Sequence, residues 1–240
     1  MDASKTNTVQ SATAYIQGIV SEGQQAGKPI ITRTLYNPQM KSAYNFVPGI
    51  MGMLFILICA MMTSVSIVRE KETGTMEILL VSPVRPMRIV TAKLVSYFVL
   101  SCIVLSTILL IAYGLLELPL SASAFNVVGV SLLYIILSLA LGILISTMTR
   151  RQVVALLVSA MLFMLPVIML SGMLFPVENM PRVLQWISYV VPARWYIDAM
   201  RKLMIEQLPI SGVLDDVIIL TAMAFFIIAV AVGKFNDKLE

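Results

Sequence analysis

Histidine is absent from the 240-residue chain, and charged residues make up only 12% of it. The first absence removes the side chain that most often serves as general base or metal ligand. The second excludes an ordinary soluble domain, in which about a quarter of residues are charged. The two cysteines, Cys59 and Cys102, both lie in apolar runs without a CxxC neighbour. Packing is their default role, and a disulfide framework is not indicated. No GxxxxGKS/T, HExxH or GxSxG motif occurs, and no Cys/His set has metal-ligand spacing. Nothing here calls for a cofactor, a metal or an active site in this chain. The net charge of +4 does not indicate a nucleic-acid partner, because the basic residues cluster at the ends of apolar runs.

What is present is apolar sequence: 59% hydrophobic residues and a mean hydropathy of +0.91. Five runs, at 45–68, 88–116, 124–148, 152–175 and 213–233, reach the length of about 20 residues that a membrane span needs. The fold class expected is an all-α polytopic membrane protein with five spans. Nine basic residues (Arg69, Lys71, Arg85, Arg88, Lys93, Arg150, Arg151, Lys234 and Lys238) flank these runs on one side, and the loop 116–124 has none. Positive residues stay inside, so the C-terminus is expected in the cytoplasm and residues 1–44 outside. That polar stretch has no signal peptide. Within it Ile30 to Tyr36 reads as a strand, ended by Asn37-Pro38, and its partners must lie elsewhere. A tail of this kind is expected to be the end of a larger extracytoplasmic domain (1–44) ahead of the transmembrane domain (45–240).

Ser138, Gly142 and Ser146 form a small-xxx-small row in the third run, and Ala155 and Ser159 a shorter one in the fourth. Such rows let helix backbones approach closely, and helix packing is preferred here to a pore. Pro166 is expected to kink the fourth run. That run also holds Met161, Met164, Met169 and Met173, which suit a promiscuous surface but more often fill irregular core gaps. Away from their ends the spans carry no Asp, Glu, Lys or Arg, whereas an ion pump or proton relay needs such groups at depth.

Residues 176–212 are cut by Pro176, Pro181, Pro192 and Pro209 into two short helical pieces, about 181–190 and 193–206. The second sets Arg194, Asp198 and Arg201 on one polar face, with Asp198 the candidate partner of Arg194. Trp186, Tyr189, Trp195 and Tyr196 read as interfacial aromatics. Two readings stand: helices lying flat as an anchor, or re-entrant elements.

The longest polar interval between long apolar runs is 69–93, REKETGTMEILLVSPVRPMRIVTAK. From Thr73 on, Met76, Leu79 and Leu80 recur at helical spacing, and Pro83 and Pro86 end the pattern. An amphipathic helix at the membrane surface is expected over about 70–82. On its residues alone, it is either an orientation signal or a docking ridge. The order Arg69-Glu70-x-Glu72, Gly74-Thr75, Glu77, Leu80, Ser82-Pro83 and Lys93 resembles the first cytoplasmic loop of type-2 ABC transporter permeases, the ABC-2 exporter superfamily. The likeness covers 69–93 and is fairly specific; the rest of the chain fits by layout.

The resemblance implies a coupling helix that docks on a separate P-loop ATP-binding subunit. Arg69, Glu70, Glu72, Gly74, Thr75, Met76, Glu77, Leu79, Leu80 and Pro83 would carry it. Met76, Leu79 and Leu80 would form the ridge, the three glutamates would meet basic groups on the ATPase, and Arg69 and Lys93 would anchor the loop at lipid headgroups. It also implies six spans, the first missing here, re-entrant helices before the last span, and a second permease copy or a homologous permease. The implied function is export of a hydrophobic or amphipathic, drug-like compound across a bacterial plasma membrane. Sodium, lipid or polysaccharide export shares the layout. An intramembrane enzyme or a passive scaffold are the rivals from other classes.

Overall fold

A computed structural model describes residues 43–74, 86–114, 124–173 and 177–236. The strand expected at 30–36 and most of the expected coupling helix lie outside these residues. Helix α1 is one rod: Ala43–Ile56, a π-helical turn Leu57–Met61, and Met62–Glu72. Helices α2 (Pro86–Gly114) and α3 (Ala124–Met148) follow. Helix α4 comprises Gln152–Ser159, a second π turn Ala160–Met164, and Leu165–Leu170. Two short helices, α5 (Arg182–Ser188) and α6 (Pro192–Met204), precede the last, α7 (Leu214–Asn236). No strand occurs among the described residues. Among the described residues five segments are long and apolar enough to cross a membrane: Phe46–Glu72, Val90–Gly114, Ala124–Met148, Gln152–Leu170 and Ile210–Ala231.

These agree with the expected runs except at two ends. The first span's helix continues one turn further, through Arg69-Glu70-Lys71-Glu72, before Gly74 stops it in the left-handed region at φ +70°. The fourth ends early, at Leu170. There the Ser171 hydroxyl donates back to the Val167 carbonyl, and Gly172 turns the chain at φ +80°. At Pro166, where a kink is expected, the helix carries a π turn just before the proline, which fits a backbone hydrogen bond that proline cannot make.

Helix α3 is the centre, with 56% of its most apolar window buried, whereas the figure for α2 is 11%. It packs on α1, α2, α4, α6 and α7. Its contact with α1 is made possible by Gly142: a Cβ there would sit 2.7 Å from the Ala60 carbonyl oxygen and 2.8 Å from the Thr63 Cβ. The small-residue row thus serves helix packing, with Ser138 and Ser146 buried beside it. Hydroxyls tie the neighbouring helices: Ser64 Oγ lies 2.8 Å from Ser159 Oγ of α4, and Cys59 Sγ 2.9 Å from Ser101 Oγ of α2. On the exposed face of α2, Ser96, Ser106 and Thr107 each donate to the carbonyl four residues back. This satisfies polar groups where lipid offers no partner.

The methionines divide. Met161, Met164 and Met169 face outward, and Met173 packs against Gly49 and the core. Three of the four are therefore surface residues, against the core-filler expectation.

Gly142→Val should force α1 and α3 apart and cost about 1–3 kcal/mol, the usual penalty for overpacking. Gly129 lies in the same helix with open space around it. Gly129→Ala should hold or raise stability, since alanine is the better helix former. Thermal unfolding of the purified, detergent-solubilised variants checks the contrast.

Candidate functional site

The end of α1 carries the charges that the sequence singles out. Glu70 pairs with Lys93 of α2 at 2.7 Å, and the same ammonium donates to Ser66 Oγ at 2.8 Å. Lys71 donates to the Ser146 carbonyl at 2.7 Å, in the last turn of α3. A cation suits that end of a helix, where carbonyls lack intrahelical partners. The Glu72 carboxylate accepts the backbone N–H of Gln152 at 2.7 Å. Helix α4 begins there behind Arg151, whose side chain makes no cap, so the carboxylate of α1 takes that role.

Two of the three glutamates that the resemblance assigns to a partner subunit, Glu70 and Glu72, thus have partners within the chain, as does Lys93. Arg69 is exposed, and its carbonyl closes the helix by accepting from the Thr73 N–H and hydroxyl. Gly74 has the conformation of a helix-ending glycine with open space around it. Thr75, Met76, Glu77, Leu79, Leu80 and Pro83 lie outside the described residues.

At the other end of the bundle, α6 is wedged among the spans. Ala193, Tyr196, Ile197, Ala199, Met200 and Leu203 are fully buried. Gly52 of α1 admits this helix, since a Cβ there would meet Ile197 at 2.9 Å. Tyr196 is not interfacial. Its ring stacks on Tyr134 of α3 with centroids 4.2 Å apart, and its hydroxyl meets Ser131 Oγ at 3.0 Å. Tyr134 in turn donates to the Gly52 carbonyl at 3.1 Å. Two phenols buried in apolar surroundings thereby find partners on α1 and α3.

The polar face of α6 does not close on itself. Arg194 lies over the Tyr189 ring, 4.1 Å from its centroid, and donates to Ser188 Oγ. Arg201 reaches back to the Gly172 carbonyl at 3.1 Å, tying α6 to the end of α4. Asp198 pairs with Lys202 at 3.0 Å, one turn on, in place of the expected Arg194. Lys202 also meets Asp216 of α7 at 2.7 Å. Burial pulls the Lys202 pKa down, but hydrogen bonding and charge from Asp216 and Asp198 more than reverse this, and it stands above its ordinary value. Neither Lys202 nor Asp216 was singled out by sequence; the available signal was an acidic pair, Asp215-Asp216, opening the last apolar run.

Helix α5 is the opposite of α6. Val183 and Trp186, and Val190 in the turn after it, are more than two thirds exposed, so an apolar face looks outward. Between it and α4 lies an apolar groove of about 500 Å3, lined by Leu165, Pro166, Met169, Asn179, Met180 and Leu184 among others.

A five-span helical bundle with a charged, glycine-ended turn after the first span, and two short helices before the last, is an all-α polytopic membrane protein. Residues 1–232 match the profile of the ABC-2 family transporter proteins, and the chain belongs to that family. It is 30% identical over 238 residues to the "Probable multidrug ABC transporter permease YbhS" of Escherichia coli K12, covering 94% of this chain and 63% of that one. The "Inner membrane transport permease YhhJ" of the same organism is 29% identical, with 95% and 65% covered. "ABC transporter G family member 20" of Dictyostelium discoideum is 26% identical over 87% of this chain and 29% of its own. The chain spans less than two thirds of the length of these relatives.

The Lys202 cluster sets a graded expectation. Asp216 is 3% exposed on its side chain and Asp198 45%. Lys202→Met leaves a buried carboxylate unpaired and should cost about 3–5 kcal/mol, whereas Asp198→Asn should cost about 0–1. The double variant Lys202→Met/Asp216→Leu should recover much of the loss in the same unfolding measurement.

Proposed function

We propose that this chain is the membrane-spanning part of an ATP-driven exporter, moving an apolar or amphipathic, drug-like compound out of a bacterial cytoplasm. The observation that carries the reading is the join between the first two spans. The charged sequence 69–93, within the family match, follows a helix that is tied to its neighbours up to Glu72 and ends on a left-handed glycine. A separate ATP-binding chain would dock on the apolar ridge Met76, Leu79 and Leu80. The name of the YbhS relative favours a multidrug cargo, and the outward methionines beside an apolar groove fit an adaptable, apolar partner. A second copy, or a homologous permease, would complete the assembly. The basic residues flanking the spans support a cytoplasmic side for residues 69–93 and the C-terminus.

On that topology α5 and α6 belong to the outer side and re-enter the bilayer. The burial of α6 among α1, α3 and α7 supports this for the second helix, and the outward apolar face of α5 supports lipid contact for the first. Single cysteines at Trp186 and Trp195 should then react slowly with membrane-impermeant reagents, and one at Pro209 quickly. Equal, fast labelling at all three would mean a solvated loop.

The docking ridge is tested by substitution. Burying a leucine at an interface contributes roughly 1.5–3 kcal/mol and an exposed ion pair about 0–1, so the ridge outweighs its charges. Leu80→Asp should abolish both co-purification with the ATP-binding chain and stimulation of its ATPase, while membrane insertion stays intact. Wild-type binding and stimulation by Leu80→Asp would leave the loop as an orientation signal only.

A further inference from the structure

Three successive residues at the end of α1 each address a different helix. Consecutive residues of a helix point about 100° apart, so Glu70, Lys71 and Glu72 sweep more than half the circumference. Glu70 meets α2 through Lys93, Lys71 meets the C-terminal carbonyls of α3 at Ser146, and Glu72 meets the first amide of α4 at Gln152. The contacts on α3 and α4 supply what those helix ends lack, and the one on α2 is an ion pair. Lys93 rests one turn further back on Ser66, so the grip on α2 has two points along α1. Helix α4 has no local cap at Arg151 and borrows one. Deeper in the bundle α1 touches the same three helices again, through Cys59–Ser101, Ala60–Gly142 and Ser64–Ser159. Helix α1 is thereby fastened to each neighbour at two heights.

We propose that Glu70, Lys71 and Glu72 form a three-way splice that makes the loop-proximal ends of α1 to α4 move as one body. These are positioning residues: the contacts described are with other helices of the same chain. The mechanical consequence rests on the coupling reading above, because the splice lies immediately before the loop that would be pushed. A displacement of residues 75–85 would reach α2, α3 and α4 directly through side chains, and would not depend on the connecting chain alone. Charges at this site thus act inside the permease, and recognition of the partner is left to the ridge.

The experiment uses the full permease reconstituted with its ATP-binding chain. Glu70→Lys and Lys93→Glu should each lower transport per ATP hydrolysed by roughly fivefold or more, the low end of ordinary coupling between sites. The exchange Glu70→Lys/Lys93→Glu should restore most of the ratio. In parallel, spin labels at Thr73, just past α1, and at Val153, exposed in the first turn of α4, report the spacing of α1 and α4, whose distribution should be narrow in the wild type and broadened by Glu72→Ala. Single variants with a wild-type ratio, or an exchange no better than either single, would overturn the splice, as would an unchanged distance distribution in Glu72→Ala. If Leu80→Asp leaves the ATPase coupled, the docking reading fails instead, and the splice is then judged on the distance measurement alone.

Discussion

The approach of α1 to α3 at Gly142 is the contact on which the rest of the bundle depends. Lipid supplies no hydrophobic drive between helices, so association rests on close backbone packing and on polar groups that find partners. A hydrogen atom in place of a side chain at Gly142 brings the α1 backbone within contact distance of α3. The π turn Leu57–Met61 stands at this contact and carries both Cys59 and Ala60. From that point outward α1 is close enough for Ser64, Lys71 and Glu72 to reach α3 and α4. With α1 displaced by a side chain at 142, those shorter contacts would all lengthen together.

The two ends of the bundle use polar groups differently. At the end bearing Arg69–Glu72, charges satisfy helix termini, and several remain half exposed to water. At the other end the charges are drawn inward: Lys202 bridges an exposed carboxylate and a buried one, fixing α6 against α7. The stacked pair Tyr134–Tyr196 fixes the same helix against α3. Helix α6 is therefore held from several sides, whereas α5 presents its apolar residues outward. Two adjacent short helices thus differ in kind, α6 fixed on several sides and α5 with Val183 and Trp186 exposed.

The spans, their order and the two Pro-bounded helices were legible because each depends on local pattern: run length, helical spacing and proline. The Ser138-Gly142-Ser146 row was legible for the same reason. Partnerships between distant residues were not. Nothing within a few residues of Glu72 shows that Gln152 begins a helix lacking a cap, and nothing near Tyr196 reveals Tyr134. The Arg194–Asp198 pairing failed for a related reason: adjacency on one helix face is real, but Tyr189 and Lys202 offered better partners from just outside the pattern. Asp216 stands at the start of an apolar run, where an acid also suits the helix N-terminus, and nothing local points to Lys202 as its partner.

The central claim is that the interval after Gly74 meets an ATP-binding chain. Photo-cross-linking in membranes, with a photoreactive residue at Leu79 and a second at Phe225 on the outward face of α7, addresses it without relying on activity. A cross-link from Leu79 to an ATP-binding protein, and none from Phe225, is the expected result. Lipid or self-adducts alone at Leu79, in membranes that still export, would contradict it.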